Sequence, residues 1–389
     1  MGSIKDKVAV IGVGATKFGE IWEKDAEDLV VDAAYEAFDD AGLTSQDIEA
    51  AWVGVLYNFT GISGSTAAEP LKLFGKPTTR VENFCASGMD AFRNACYGVA
   101  SGVYDIVLAC GVEKLMDTGS SGLPTSDFGH PVMGGVSAPG MFALAATRCF
   151  HEWGWTKEDL ARVAVKNHKN GVAHPKAHFR RAITMEDALN APMIAWPLGR
   201  FDCCAMSDGA AAIIITRPEI AKTTKHKDDY VLVKASALAL ATVMPMYKAS
   251  FDYLGFPATR MAAALAYEEA GIKEPAKEIG FAEVHDCFTI TELLNIQDLG
   301  FAEQSKGAEF VRDGRASVEE GDIPINPSGG LKCFGHPIGA TGCRMIYELT
   351  KQIQGRADGN QVKEPRLGLA HNLGGPASVC SVTILGPRD

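Results

Sequence analysis

No apolar run in this sequence reaches the roughly 18 residues that a membrane-crossing helix needs. There is no C-x-x-C pair to nucleate a zinc knuckle, and the ten cysteines are scattered rather than clustered, so a compact disulfide framework is excluded. No G-x-S-x-G elbow occurs. The early Gly12-Val13-Gly14 lacks the third glycine of a dinucleotide fingerprint, and Gly14 to Gly19 is followed by Glu20 rather than the lysine of a phosphate loop. Positive charge is also scarce: a formal net charge of −11 argues against nucleic acid as a partner. Met1 to Asp6 leads straight into the strand-like Val8-Ala9-Val10-Ile11-Gly12 without a secretory leader, so the sequon at Asn58-Phe59-Thr60 carries no weight. The expectation is a reduced, cytoplasmic, metal-free protein. At 389 residues and 47% hydrophobic content it is long enough for a large core in more than one domain.

What is present points to a reactive thiol. In Val81-Glu82-Asn83-Phe84-Cys85-Ala86-Ser87-Gly88 an extended stretch stops, and Met89, Phe92, Ala95, Cys96 and Val99 then recur at helical spacing. One helix is predicted from Ser87 to about Ala100, with Cys85 at its N-terminus. There the free backbone N–H groups and the helix dipole would lower the thiol pKa. The alternative is a buried structural cysteine.

The chain also repeats. Ala34 to Leu43, leading to the strand Ala51-Trp52-Val53-Gly54-Val55, is echoed by Ala264 to Ile272, leading to Phe281-Ala282-Glu283-Val284. The Cys85 region is echoed by Asn326 to Gly342, since each precedes an amphipathic helix and then a hydrophobic strand. Two α/β halves are expected, 1–229 and 230–389, with an insertion at about 117–200. That insertion gathers Lys166, His168, Lys169, Lys176, His178, Arg180 and Arg181, a basic cluster suited to the phosphates of an anionic ligand.

Three further segments carry chemistry. Gly335-His336-Pro337 through Gly342 fixes one histidine in a glycine-rich turn, and His336 is the natural base for a thiol, holding it as a thiolate by an ion pair. His285-Asp286-Cys287-Phe288 follows a buried strand, at the sheet edge where α/β proteins place their ligands. His371-Asn372-Leu373-Gly374-Gly375-Pro376 reads as a turn that could offer backbone N–H groups to an oxyanion.

Taken together, Asn83 to Gly88, Ser207-Asp208-Gly209-Ala210-Ala211-Ala212 and Gly335 to Gly342 resemble the motifs of the thiolase superfamily, over essentially the whole chain. The resemblance implies a five-layer α-β-α-β-α sandwich of two similar βαβαβαββ halves with an inserted loop domain. It implies reversible cleavage of a 3-ketoacyl-CoA with coenzyme A as co-substrate and Cys85 as the acyl acceptor. His336 would activate Cys85 and donate to a thioester oxygen. The backbone N–H groups of Cys85 and Gly375 would form a second oxyanion hole. Familiar thiolases carry a second cysteine in a C-terminal Cys-x-Gly-Gly-Gly run that is absent here. The His-Asp-Cys-Phe segment resembles sterol-carrier-type and archaeal-type thiolases, which implies Cys287 as acid/base and His285 as a water-positioning or oxyanion residue. Cys333 is a competing second cysteine, and Cys380 is assigned to the core because it alternates with Val382 and Ile384 on one strand face.

The cluster Lys166, His168, Lys169, Arg180 and Arg181 is then expected to meet the CoA phosphates. Phe59, Met133, Met141, Phe142, Met244, Met246 and Tyr247 are candidates to line a pocket for a bulky, branched or aromatic acyl group. The resemblance further implies a homodimer or dimer of dimers and a small zinc-ribbon/OB-fold accessory subunit, with degradation the favoured direction. A condensing synthase and a non-catalytic acyl-CoA or lipid carrier are the competing classes.

Overall fold

The computed structural model describes residues 2–119, 122, 137–242, 246, 248 and 250–388. Nine of its strands form one sheet: β1 (Ala9–Ala15), β2 (Ala50–Gly54), β3 (Thr78–Val81), β4 (Ile106–Glu113), β7 (Gly209–Thr216), β8 (Val231–Leu240), β9 (Phe281–Val284), β10 (Gly368–Gly374) and β11 (Val379–Pro387). Their order is β3-β2-β4-β7-β1-β8-β11-β10-β9, while β5 (Met193–Ala195) and β6 (Leu198–Gly199) pair separately in the insertion.

The internal repeat is visible in the pairing. In the first half β2 and β4 are parallel, then β7 and β1 follow antiparallel. In the second half β9 and β10 are parallel, then β11 and β8 follow antiparallel. Even the edge strand β3 has a counterpart, a parallel bridge from Ala282 to Ile325, and Ile325 precedes Asn326 as β3 precedes Asn83. The halves join edge to edge through two residue pairs, Ala9 with Leu232 and Val10 with Val231.

Helices cover both outer faces. Ala26–Ala41 starts at a capping box between Asp25 and Asp28, stops at the left-handed Gly42, and buries Leu29, Val30, Ala33, Ala37 and Phe38 against β1 and β7. Its counterpart Pro257–Ala270 lies on β8 and β11. Between the two sheet halves run Ser87–Ala100, the cysteine helix, and Ile338–Ile353, the histidine helix. They pack on one another, and the histidine helix touches β4 and β7 on one side and β10 on the other. This is the five-layer α-β-α-β-α arrangement, and the predicted helix from Ser87 to Ala100 is observed with those bounds.

A helix buried on all sides must pair its polar groups internally. In the histidine helix, Arg344 meets Glu283 and Ser328, Glu348 meets His174 and Gln352, and Gln352 also reaches the Asn360 carbonyl.

The two central helices cross at glycine. A Cβ on Gly342 would lie 2.1 Å from the Met89 nitrogen, and one on Gly88 would lie 2.3 Å from the Gly339 carbonyl oxygen. Only backbone fits here. Among its described residues the insertion holds the helices Ala138–Trp153 and Lys157–Ala173. One difference from the sequence reading stands out. His371 and Asn372 lie inside β10 rather than in a turn, because β9 and β11 both pair with that stretch.

Gly342→Ala is expected to overpack the crossing and destabilise the fold by about 1–3 kcal/mol. Gly19→Ala, where a Cβ meets nothing within 4 Å, should leave the thermal midpoint unchanged. Equal midpoints for both variants would contradict the crossing as the tight point of the fold.

Candidate active site

The crossing brings two helix N-termini together. At the end of β3 the chain turns through Phe84 in a left-handed conformation (φ 51°), which swings Cys85 to the start of the cysteine helix. Asn83 secures the turn: its N–H donates to Ser87 Oγ at 2.9 Å and its amide nitrogen to Asp90 at 2.6 Å. His336 stands just ahead of the histidine helix, after Gly335 (φ 114°). His285 follows β9. One sulfur or ring nitrogen from each of Cys85, His285 and His336 lies within 4.8 Å of the others. A sulfur and two imidazoles would also suit a soft metal ion.

The hydrogen bonds fix opposite tautomers on the two histidines. The Thr341 hydroxyl donates to the Pro337 carbonyl at 2.9 Å, so it can only accept from His336 Nδ1 at 2.7 Å. The proton of neutral His336 therefore sits on Nδ1, and Nε2 is a bare lone pair, buried and without a partner. In His285 the Asn372 amide nitrogen donates to Nδ1 at 3.0 Å, leaving the proton on Nε2. The rings meet at 85° with centroids 5.2 Å apart. One imidazole presents a base and the other a donor.

A closed circuit holds His285 in place. Its backbone N–H donates to His371 Nδ1 (3.3 Å), and His371 Nε2 donates to Thr259 Oγ1 (3.0 Å). Thr259 donates to Asn295 Oδ1 (3.2 Å), whose amide nitrogen returns to the His285 carbonyl (3.1 Å). Asp286 is also engaged: it accepts from the backbone N–H groups of Leu331 (2.6 Å) and Lys332 (3.2 Å) and from Asn167 (2.8 Å). Glu113, at the end of β4, accepts from Leu56, Tyr57 and Gly339 N–H groups at 3.0, 3.1 and 3.0 Å, tying both sheet and histidine helix to the site. Burial pushes its carboxyl up to about 7 despite those donors.

Burial also sets the charge of the reactive pair. It pushes the Cys85 thiol up to about 12, against the pull of the Gly375 N–H aimed at the sulfur, and the Glu113 carboxylate pushes the same way. Burial, with Arg344, holds His336 down to about 3. Both directions run against the expected thiolate–imidazolium pair and favour a neutral thiol beside a neutral base in the substrate-free site. Gly375 itself (φ 61°) has no room for a Cβ, which would meet the Phe84 ring at 2.9 Å.

Cys287 is buried, its sulfur 3.9 Å from Thr291 Oγ1, and its thiol is raised by burial and then by the neighbouring Cys204 and Cys85. Cys333 is buried and packs under Gly171, and Cys380 is core on β11. Ser207 closes the first half by bonding His178 at 2.8 Å, and Asp208 accepts from Lys114 (2.8 Å) and Met116 N–H (2.9 Å).

The basic cluster needs correction. Lys166 is paired with Glu292 (3.0 Å) and the Ile325 carbonyl (2.8 Å). His168 is buried and bonded to the Arg181 carbonyl. Lys169 is paired with Glu319 at the surface, and Lys176 with Glu36. Arg180 and Arg181 are exposed and remain available for phosphate. Of the acyl-pocket candidates, Phe142 is buried against Phe288 (4.9 Å), Met141 is half-buried, Met246 is buried, and Phe59 is exposed and stacked on Tyr57. Met133, Met244 and Tyr247 lie outside the described residues.

The family model for the thiolase N-terminal domain matches residues 8–219, and the thiolase C-terminal domain-like model matches 242–387. The chain belongs to the thiolase family. It is 40% identical over 384 residues to an acetyl-CoA acetyltransferase of Methanothermobacter thermautotrophicus, covering 97% of this chain and 98% of that protein. It is 33% identical to the benzoylsuccinyl-CoA thiolase subunit BbsB of Thauera aromatica, covering 96% of each. Sterol carrier protein 2 of Bos taurus is 31% identical, covering 98% of this chain and 73% of that one. Among solved structures, the Ltp2-ChsH2(DUF35) aldolase superposes with a TM-score of 0.86 at 26% identity, covering 99% of each chain. This thiolase is therefore an acyltransferase-class enzyme with the expected fold.

The neutral pair predicts how the thiolase reacts with iodoacetamide. With the thiol pushed up to about 12, alkylation of Cys85 in substrate-free enzyme, followed on its peptide, should rise about tenfold per pH unit from 6 to 9 without a plateau. A plateau near neutral pH would mean a preformed thiolate.

Proposed function

We propose that this thiolase cleaves a 3-ketoacyl-CoA reversibly, passing the acyl group through Cys85 to coenzyme A. The observation that carries the reading is the bare Nε2 of His336 on a ring that has a nitrogen within 4.8 Å of the Cys85 sulfur. His336 takes the thiol proton as the sulfur attacks the 3-keto carbon, and its new Nε2–H then faces the substrate as a donor. Breaking the carbon–carbon bond releases the enolate of an acyl-CoA. Cys287 protonates that enolate, and His285 Nε2–H stabilises its oxygen. The N–H groups of Cys85 and Gly375 hold the acyl-enzyme carbonyl. Coenzyme A, deprotonated by the Cys287 thiolate, then takes the acyl group, and the expelled Cys85 sulfur recovers its proton from His336. The division into halves at 229/230 follows from the repeat, with Arg180 and Arg181 serving the CoA phosphates.

The same groups run a Claisen condensation in reverse. The two archaeal relatives named acetyl-CoA acetyltransferase, at 40% and 37% identity, favour acetoacetyl-CoA as a second reading. The benzoylsuccinyl-CoA thiolase subunit supports a bulkier or aromatic acyl group and degradation. That relative's subunit status and the ChsH2(DUF35) complex support an accessory subunit beside a homodimer. We place the enzyme in the cytoplasm.

Incubation with a 3-ketoacyl-CoA without free coenzyme A should add one acyl mass to the Cys85 peptide. Cys85→Ala should abolish the adduct. Cys287→Ala should retain it while turnover falls on the order of 10²–10⁴-fold. An adduct on Cys287 or Cys333 in Cys85→Ala would overturn the assignment.

A further inference from the structure

Cys85, His285 and His336 have a capacity that acyl transfer does not use. One sulfur or ring nitrogen from each lies within 4.8 Å of the other two. In a tetrahedral zinc site, with bonds of roughly 2.3 Å to sulfur and 2.0 Å to nitrogen, donors stand roughly 3.3–3.6 Å apart. The three donors therefore need to draw together by no more than about 1.5 Å, a change within reach of side-chain rotation. Their elements favour convergence: Cys85 and His336 precede the two central helices, and His285 follows β9.

The groups behind the imidazoles fit as well. An imidazole that ligates a metal through one nitrogen donates its other N–H to a fixed acceptor. His336 already does so, with Nδ1 donating to Thr341 Oγ1 at 2.7 Å and Nε2 buried without a partner. For His285 the acceptor is at hand. Asn372 meets Nδ1 through its amide nitrogen at 3.0 Å, and its Oδ1 is buried and unpartnered. Turning that amide over sets Oδ1 against Nδ1, moves the ring proton there and frees Nε2 for an ion.

The donor set also selects the ion. Among the described residues this group contains no carboxylate, and Glu113 is taken up by three backbone N–H groups. One sulfur and two imidazoles suit Zn²⁺ and its neighbours, whereas Mg²⁺ and Ca²⁺ need oxygen donors. Cys85 is half-buried rather than sealed. A centre that a thioester must reach is open to an ion.

We propose that Cys85, His285 and His336 bind one thiophilic divalent cation, of which Zn²⁺ is the type, and that the bound ion excludes acyl-CoA. As the sulfur–metal bond forms, the Cys85 thiol proton leaves to solvent, and the fourth position is left to water. The ion is not a cofactor here. It occupies the sulfur and the His336 lone pair that acyl transfer requires. This rests on the thiolase reading and adds a means of control to it.

Co²⁺ is the visible probe. Titrated into the metal-free full-length protein, it should occupy one site per chain and give a thiolate-to-cobalt charge-transfer band with the visible bands of a tetrahedral ion. Zn²⁺ should displace it, and Mg²⁺ should not. One equivalent of Zn²⁺ should slow iodoacetamide labelling of Cys85 by about tenfold or more, and a chelator should restore it. Cys85→Ser should abolish the charge-transfer band, and His285→Ala should weaken Co²⁺ binding by about tenfold or more. No charge-transfer band in the wild type, or Cys85 labelled at the metal-free rate in the presence of Zn²⁺, would overturn the proposal; these readings decide it even where a variant fails to fold. A band that persists in Cys85→Ser would also overturn it, placing the ion on other thiols. Failure of the thiolase reading would look different: no CoA-dependent cleavage of any 3-ketoacyl-CoA by the metal-free enzyme, with the ion still bound.

Discussion

The contact between the cysteine helix and the histidine helix at Gly88, Gly339 and Gly342 is the constraint on which the rest of the structure depends. Backbone meets backbone there, so neither helix can slide or rotate without collision. Each helix follows a strand or turn at equivalent places in two similar half-folds. Locking them together brings two helix N-termini face to face, and the chain turns just before each one present Cys85 and His336. The site is thus a product of the repeat, with a nucleophile from one half and its base from the other. Glu113 reinforces the arrangement by reaching from β4 to the Gly339 N–H at the start of the histidine helix.

Burying so much polar chemistry keeps it neutral. The thiols of Cys85 and Cys287 are pushed up, and the imidazoles of His285, His336 and His371 are pushed down, all chiefly by loss of water. Neutral histidines are distinguished by tautomer rather than charge. Thr341 leaves His336 with a free lone pair, and Asn372 leaves His285 with a free N–H. A carbon–carbon cleavage that passes through an enolate needs one group to accept a proton and another to face negative charge, and the two tautomers supply both. Charge would then develop only once substrate is bound, where donors are already in position.

Much of this was legible in the sequence because it is local. The strand-to-helix junction at Cys85, the glycine-framed His336, the His-Asp-Cys-Phe segment and the internal repeat are all patterns over a few residues. What was illegible came from distant partners. Lys166, Lys169 and Lys176 look like a phosphate patch until Glu292, Glu319 and Glu36 arrive to pair with them. Desolvation, which runs against the thiolate expectation, is a tertiary property. Thr341 and Asn372 pass in the sequence as ordinary helix and turn residues. The one available signal for Glu113 and Asn372 was a polar residue closing or interrupting a strand of small and apolar ones.

The central claim is that the fold prepares a neutral base for a neutral thiol by fixing the His336 tautomer. The most direct measurement is the single-turnover rate of Cys85 acylation in Thr341→Val, alongside the affinity for an unreactive acyl-CoA. Loss of the hydroxyl acceptor should slow acylation on the order of 10²–10⁴-fold with affinity unchanged. Acylation at the wild-type rate would contradict the account.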